Sequence, residues 1–160
     1  MKYLLALMLL VGASAHANNF VQNEADMMNQ QLQNLAEAKK AGKLDRDLCR
    51  FFITSLAKTK VSGREVAKAV SRRADLAAIN EVRIPNIQSF CGGSSYVKEA
   101  LSEWAQAKSL ALKVIEGQPA YYCDHSAHDL AQKQRQLILT AQELGEDSTP
   151  LRNLKGLSCQ

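Results

Sequence analysis

SSYVKEALSEWAQAKSLALKVIEG, Ser94 to Gly117, contains the chain's single tryptophan and reads as one helix from end to end. Val97, Leu101, Trp104, Ala111, Leu112 and Ile115 recur at helical spacing and share one side. Leu110 and Val114 lie off that side, which predicts neighbours on two flanks and a place in the middle of a bundle. Ser94 or Ser95 suits the N-cap, and Glu99 lies near the positive end of the helix dipole. Gly117 supplies a left-handed position after the last turn, and Pro119 forbids continuation.

Towards the N-terminus, Ala25, Met28, Leu32 and Leu35 predict a first helix from about Glu24, closed by Gly42 after Lys39 and Lys40. Met27 and Met28 read as packing residues, since no third sulfur ligand is near. Asp45 opens a second helix with Leu48, Cys49, Phe52, Ile53 and Leu56 facing in. Ser62 and Glu65 have capping-box spacing, with Val61 and Val66 placed as a hydrophobic staple. This predicts a third helix that buries Val66, Val70, Ala74 and Ala77 and carries Arg64, Lys68 and Arg72 on a solvated outer face. Asn80 to Gly93, with Pro85, reads as irregular.

Towards the C-terminus, Ala120 to Cys123 reads as a short aromatic connector. A further helix from Ala127 to Leu144 follows, with Ser126 and Asp129 at capping-box spacing. It turns Leu130, Leu137, Ile138, Ala141 and Leu144 inward and is closed by Gly145, after which Pro150 starts a short turn. The expected fold is all-α: a compact up-and-down bundle of about five helices plus a short C-terminal helical turn.

Residues 1–17 read as a signal peptide: Lys2, an apolar run from Leu4 to Val11, and Ala15-His16-Ala17 as the cleavage signal. Residues 18–160 are left as a single helical domain, and the short leucine-rich leader suggests the periplasm of a Gram-negative bacterium. No later stretch approaches the ~20 apolar residues of a membrane span. The net charge of +4, less Lys2, is too small an excess to suggest nucleic acid. Cys49, Cys91, Cys123 and Cys159 form no CxxC and match no zinc or haem pattern, so in an exported chain they read as two disulfides. If successive helices alternate in direction, Cys49 and Cys91 meet at one end. Cys123 lies at the other, and the last long helix carries the chain ~27 Å away before the C-terminal segment returns. The expected pairs are therefore Cys49–Cys91 and Cys123–Cys159. Cys91–Cys123 is disfavoured because the Ser94–Gly117 helix holds its ends ~33 Å apart.

His125, His128 and Asp129 stand at i, i+3 and i+4, a set that zinc or copper accepts. A cation at the positive end of a helix is electrostatically disfavoured, however, and Asp124, Ser126 and Asp129 are explained as capping residues. Metal is the weaker reading, and no cofactor is expected. Gly92-Gly93-Ser94-Ser95 with Lys98 has the makings of an anion cradle but lacks P-loop spacing; a turn plus an N-cap accounts for it. Lys108 is expected to lie along the core with its ammonium at the edge, paired to a carboxylate. No G-x-S-x-G, no H-E-x-x-H and no free thiol points to an enzyme.

The function these features favour is a non-catalytic exported protein that binds another protein, of inhibitor, immunity or assembly-factor type. Its surface is expected in the Val82–Ser95 or Tyr121–His128 segment, with Arg83, Tyr96, Tyr121 and Tyr122 as contact residues. The alternative is a small metal- or ligand-binding protein using His125 and His128. In architecture and compartment the chain resembles periplasmic immunity proteins that neutralise secreted antibacterial effectors; no motif is matched, so the resemblance implies no site residue.

Overall fold

The computed structural model describes residues 20–159, so the expected leader lies outside the described residues. Helix α1 (Phe20–Lys40) buries Ala25, Met28 and Leu35 and starts before Glu24. Gly42, at φ 65°, ends it, with the Lys43 amide donating to the Ala38 carbonyl at 2.9 Å. Asp45 caps α2 (Arg46–Ala69) by accepting from the Leu48 amide at 2.9 Å.

Helix α2 runs straight through Ser62 and Gly63, where a new helix was expected. A capping box needs a non-helical residue before it. Continuing the helix instead keeps Ala57, Lys60, Val61 and Ala67 buried in one register, and that burial outweighs a local signal. Gly63 therefore serves close packing: a Cβ there would come within 3.1 Å of Ile79 Cδ1. The break comes instead at Ser71, the one non-glycine residue with positive φ among the described residues, and α3 (Arg73–Glu81) follows. The shifted register exposes Val66, Val70, Ala74 and Ala77, all expected in the core, and buries Ile79.

The segment expected to be irregular contains α4 (Ile87–Cys91), capped by Asn86 and anchored by the fully buried Val82 and Ile87. Next come α5 (Tyr96–Ile115), α6 (Ala120–Glu143) and the short α7 (Thr149–Arg152). Helix α6 begins at Ala120 behind Pro119, so the expected connector is helical and Ser126 lies inside a helix rather than at its cap. The disulfides are Cys49–Cys91, tying α2 to α4, and Cys123–Cys159, tying α6 to the C-terminal segment. The described residues are all helix and connections, with no strand, around one core shared by all seven helices.

The path of α2 sets a test at Gly63. Gly63→Leu should destabilise the protein by about 1–3 kcal/mol through overpacking against Ile79. Gly63→Ala should be nearly neutral, because the helix-interior gain of up to ~1 kcal/mol offsets a small displacement of a flexible methyl. Urea unfolding of the two variants checks both values, and equal damage from Ala and Leu would contradict a continuous α2.

Candidate functional site

The start of α5 gathers three distant parts of the chain. Gly92 and Gly93 have φ of 76° and 92°, and this left-handed turn delivers the chain to the Ser95 cap. The amides of Tyr96 and Val97 donate to the Glu146 carboxylate at 2.9 and 3.0 Å, and the Ser95 hydroxyl donates to it as well. The Gly92–Ser95 stretch is thus the turn and N-cap expected of it, and the protein's own Glu146 accepts from the free amides that follow. Arg50 of α2 braces the same corner by donating to the Gly92 carbonyl at 3.0 Å and to Glu99 at 2.7 Å. Burial pushes the Glu146 carboxyl up, but Ser95, the Val97 and Tyr96 amides and Gln88 outweigh it and hold it below the ordinary value.

A second set of charges joins α2, α5 and α6. Lys60 and Arg64 of α2 grip Glu143 of α6 at 2.6 and 2.7 Å, so Arg64 points inward rather than to an open outer face. Farther along, Glu103 of α5 lies between Lys58 at 3.8 Å and Lys133, which donates to it. Burial raises the Glu103 carboxyl, and the two lysines, Lys133 first, bring it below the ordinary range.

Beyond these contacts α5 and α6 leave the core. No residue from 105 to 129 is buried, so the end of the α5–α6 hairpin forms an arm. The C-terminal segment runs along one side of it: Gln134 donates to the carbonyls of Leu151 and Leu154, Lys108 to that of Lys155 at 2.7 Å, and Cys159 closes on Cys123. Lys108 reaches a backbone carbonyl rather than the expected carboxylate, with its ammonium 5.2 Å from the Trp104 ring centre. By helical spacing the opposite side of the arm carries Leu110, Val114, Tyr122, His125 and Asp129. It opens as a groove of about 460 Å³ between α5 and α6, with Ala107, Ala111, Val114, Tyr122 and Leu130 as its apolar lining. Leu110 is 63 % exposed, Val114 59 % and Tyr121 71 %.

Of the residues the sequence pointed to, Tyr121 and Tyr122 sit together on this arm, ring centres 5.7 Å apart, and Tyr121 stacks on His125. Tyr96 does not join them. It is 2 % exposed beneath the first turn of α5, so it cannot touch a partner while that turn is formed. Its hydroxyl lies against Thr140 without a partner at full hydrogen-bond geometry, and burial, with Glu103 nearby, pushes its pKa up to about 12. Arg83 is exposed, but its segment docks through Asn86 and Ile87 onto Gly145 and Leu144, roughly 33 Å along α6 from Tyr122. His125 faces Asp129 at 3.8 Å while His128 pairs with Gln132, and among the described residues no three His, Cys, Asp or Glu side chains gather as metal ligands require. Phe51, exposed on α2, was placed neither in the core nor in a site by its spacing. Leu110 and Val114, expected to meet neighbours on a second flank of α5, are exposed instead, because α5 runs beyond the core before it reaches them.

Comparison of the chain with protein-family models, curated proteins and solved structures finds no match.

Glu146→Gln should cost about 1–3 kcal/mol, because an amide cannot satisfy the two amides and the hydroxyl that the carboxylate accepts from. The sign with pH follows from the lowered carboxyl. The stabilisation is complete above the ordinary glutamate value of 4.5 and is lost as pH falls below it through the folded value. The stability gap between wild type and variant should therefore narrow in acid, as denaturant titrations across that range will show. For the histidines, zinc affinity read by calorimetry should be weak and nearly unchanged by His125→Ala with His128→Ala. A stoichiometric site lost in the double variant is the contrary result.

Proposed function

We propose that this is an exported periplasmic protein without catalytic activity that binds another protein through the α5–α6 arm, in the manner of an inhibitor, immunity protein or assembly factor. One observation carries the reading: an arm with no buried residue from 105 to 129 displays Leu110, Val114, Tyr121 and Tyr122 to solvent. Clustered apolar side chains with no core to enter mark interaction surfaces, and tyrosines are enriched there. The Cys123–Cys159 bond and the tail's hydrogen bonds hold the arm in shape, which lowers the ordering cost of binding. Two disulfides with no free cysteine among the described residues fit an oxidising compartment, as does the leader read in residues 1–17.

The test is capture from the periplasm of the native organism with wild-type protein, an Arg83→Ala control and a Val114→Asp, Tyr122→Ala arm variant. The same protein should be retained by wild type and control and lost from the arm variant, with stability changed by no more than about 0.5 kcal/mol, as surface substitutions allow. Retention by the arm variant would place the binding surface elsewhere.

A further inference from the structure

The two disulfides stand in unlike surroundings. Cys49 is 3 % exposed and Cys91 packs against the core, with Arg50 donating to the Gly92 carbonyl beside the bond. Cys123 and Cys159 are only half-buried, and neither belongs to the core or packs against it. Cys123 is the fourth residue of α6, on the arm. The chain that brings Cys159 to it is lightly held. Its last hydrogen-bonded group is the Lys155 carbonyl, which accepts from Lys108 at 2.7 Å. Among the described residues no hydrogen bond holds Gly156, Leu157 or Ser158, and only Leu157 of the three packs against the core. A reagent can therefore reach this bond without opening the fold, which it cannot do at Cys49.

We infer that Cys123–Cys159 is a thiol-exchange site, at which a dithiol opens the bond and unlatches the C-terminal segment from the arm. The incoming thiolate attacks the Cys159 sulfur and forms a mixed disulfide, while the S–S electron pair leaves on Cys123. The second thiol of the reagent, deprotonated by water, attacks its own partner sulfur and releases Cys159. Two electrons and two protons pass to the protein, which ends with two thiols, and the reagent ends as a disulfide. Cys123 is suited to leave, because the amides at a helix start favour a thiolate. Asp124 opposes this, but it is exposed and water screens it. Once the bond is open, the segment keeps the packing of Leu154 and Leu157 and the carbonyls held by Gln134 and Lys108. The exchange uses no residue of the arm's groove, so it stands or falls separately from the proposed function.

The folded protein is to be treated with dithiothreitol, quenched at intervals with excess N-ethylmaleimide and mapped by peptide mass. Cys123 and Cys159 should become labelled together at least about tenfold faster than Cys49 and Cys91, because exchange follows access. Equal rates for the four, or no labelling before denaturant is added, overturn the site. With reduced glutathione in place of the dithiol, the first adduct trapped should be on Cys159; a first adduct on Cys123 overturns the direction of attack. Unlatching is read by trypsin, which cuts after Lys155. The Cys123→Ser, Cys159→Ser double variant should keep wild-type helical content and be cut there about tenfold faster than the disulfide-closed protein. Wild type reduced and labelled at Cys123 and Cys159 alone gives the same measurement should the variant lose helix. Cutting no faster than in the closed protein means that the remaining contacts hold the segment, and the latch is refuted.

Discussion

The structure turns on the unsatisfied N–H groups at the start of α5. Tyr96 and Val97 are buried, so their amides are cut off from water and need an acceptor from the protein. Glu146, some fifty residues later, provides it with one carboxylate. That single contact docks the α6–α7 turn on the α5 cap. Arg50, next to the Cys49–Cys91 bond, locks α2 and the Gly92 turn to the same point. Four segments are thereby fixed relative to one another at one end of α5, which leaves its other end free of that duty.

At the free end the problem is reversed. Two helices packed only on each other bury little, and isolated helices of three or four turns are marginal in water. The C-terminal segment supplies a third element: Leu154 and Leu157 pack against the core, Lys108 and Gln134 hold its carbonyls, and Cys159 is bonded to Cys123 near the tip. A bond closing a loop of this length stabilises by roughly 2–4 kcal/mol, and here it falls where packing is thinnest. The arm is thus kept rigid without covering its apolar side.

What the sequence disclosed follows from the range over which each signal acts. Both disulfides were legible because helix rise and connection length leave few ways to bring four cysteines together, a constraint that survives errors in helix boundaries. The Ser62–Glu65 box misled because a cap signal is local and worth about 1 kcal/mol, whereas the register of α2 is set by several buried side chains at once. The start of α6 moved for a different reason: Pro119, with its φ already fixed, opens the helix ahead of Ser126. The Gly92–Ser95 turn and cap were visible, but the acceptor for the amides beyond them was not, since nothing in local spacing links Ser95 to Glu146. Lys108 was correctly placed at the edge of the core; its acceptor, a backbone carbonyl, has no signature in the sequence.

Spacing along α5 shows why the arm escaped a reading that found the helix itself. Its apolar stripe is continuous from Val97 to Ile115, and periodicity alone treats both halves as equally buried. In the fold Tyr96, Val97, Ala100 and Trp104 enter the core, while Leu112 of the same stripe remains exposed, as do Leu110 and Val114 beside it. The difference lies in what stands opposite: the α6–α7 turn reaches only the first turn of α5, through Glu146. An apolar stripe longer than the core it serves leaves a remainder that water does not favour.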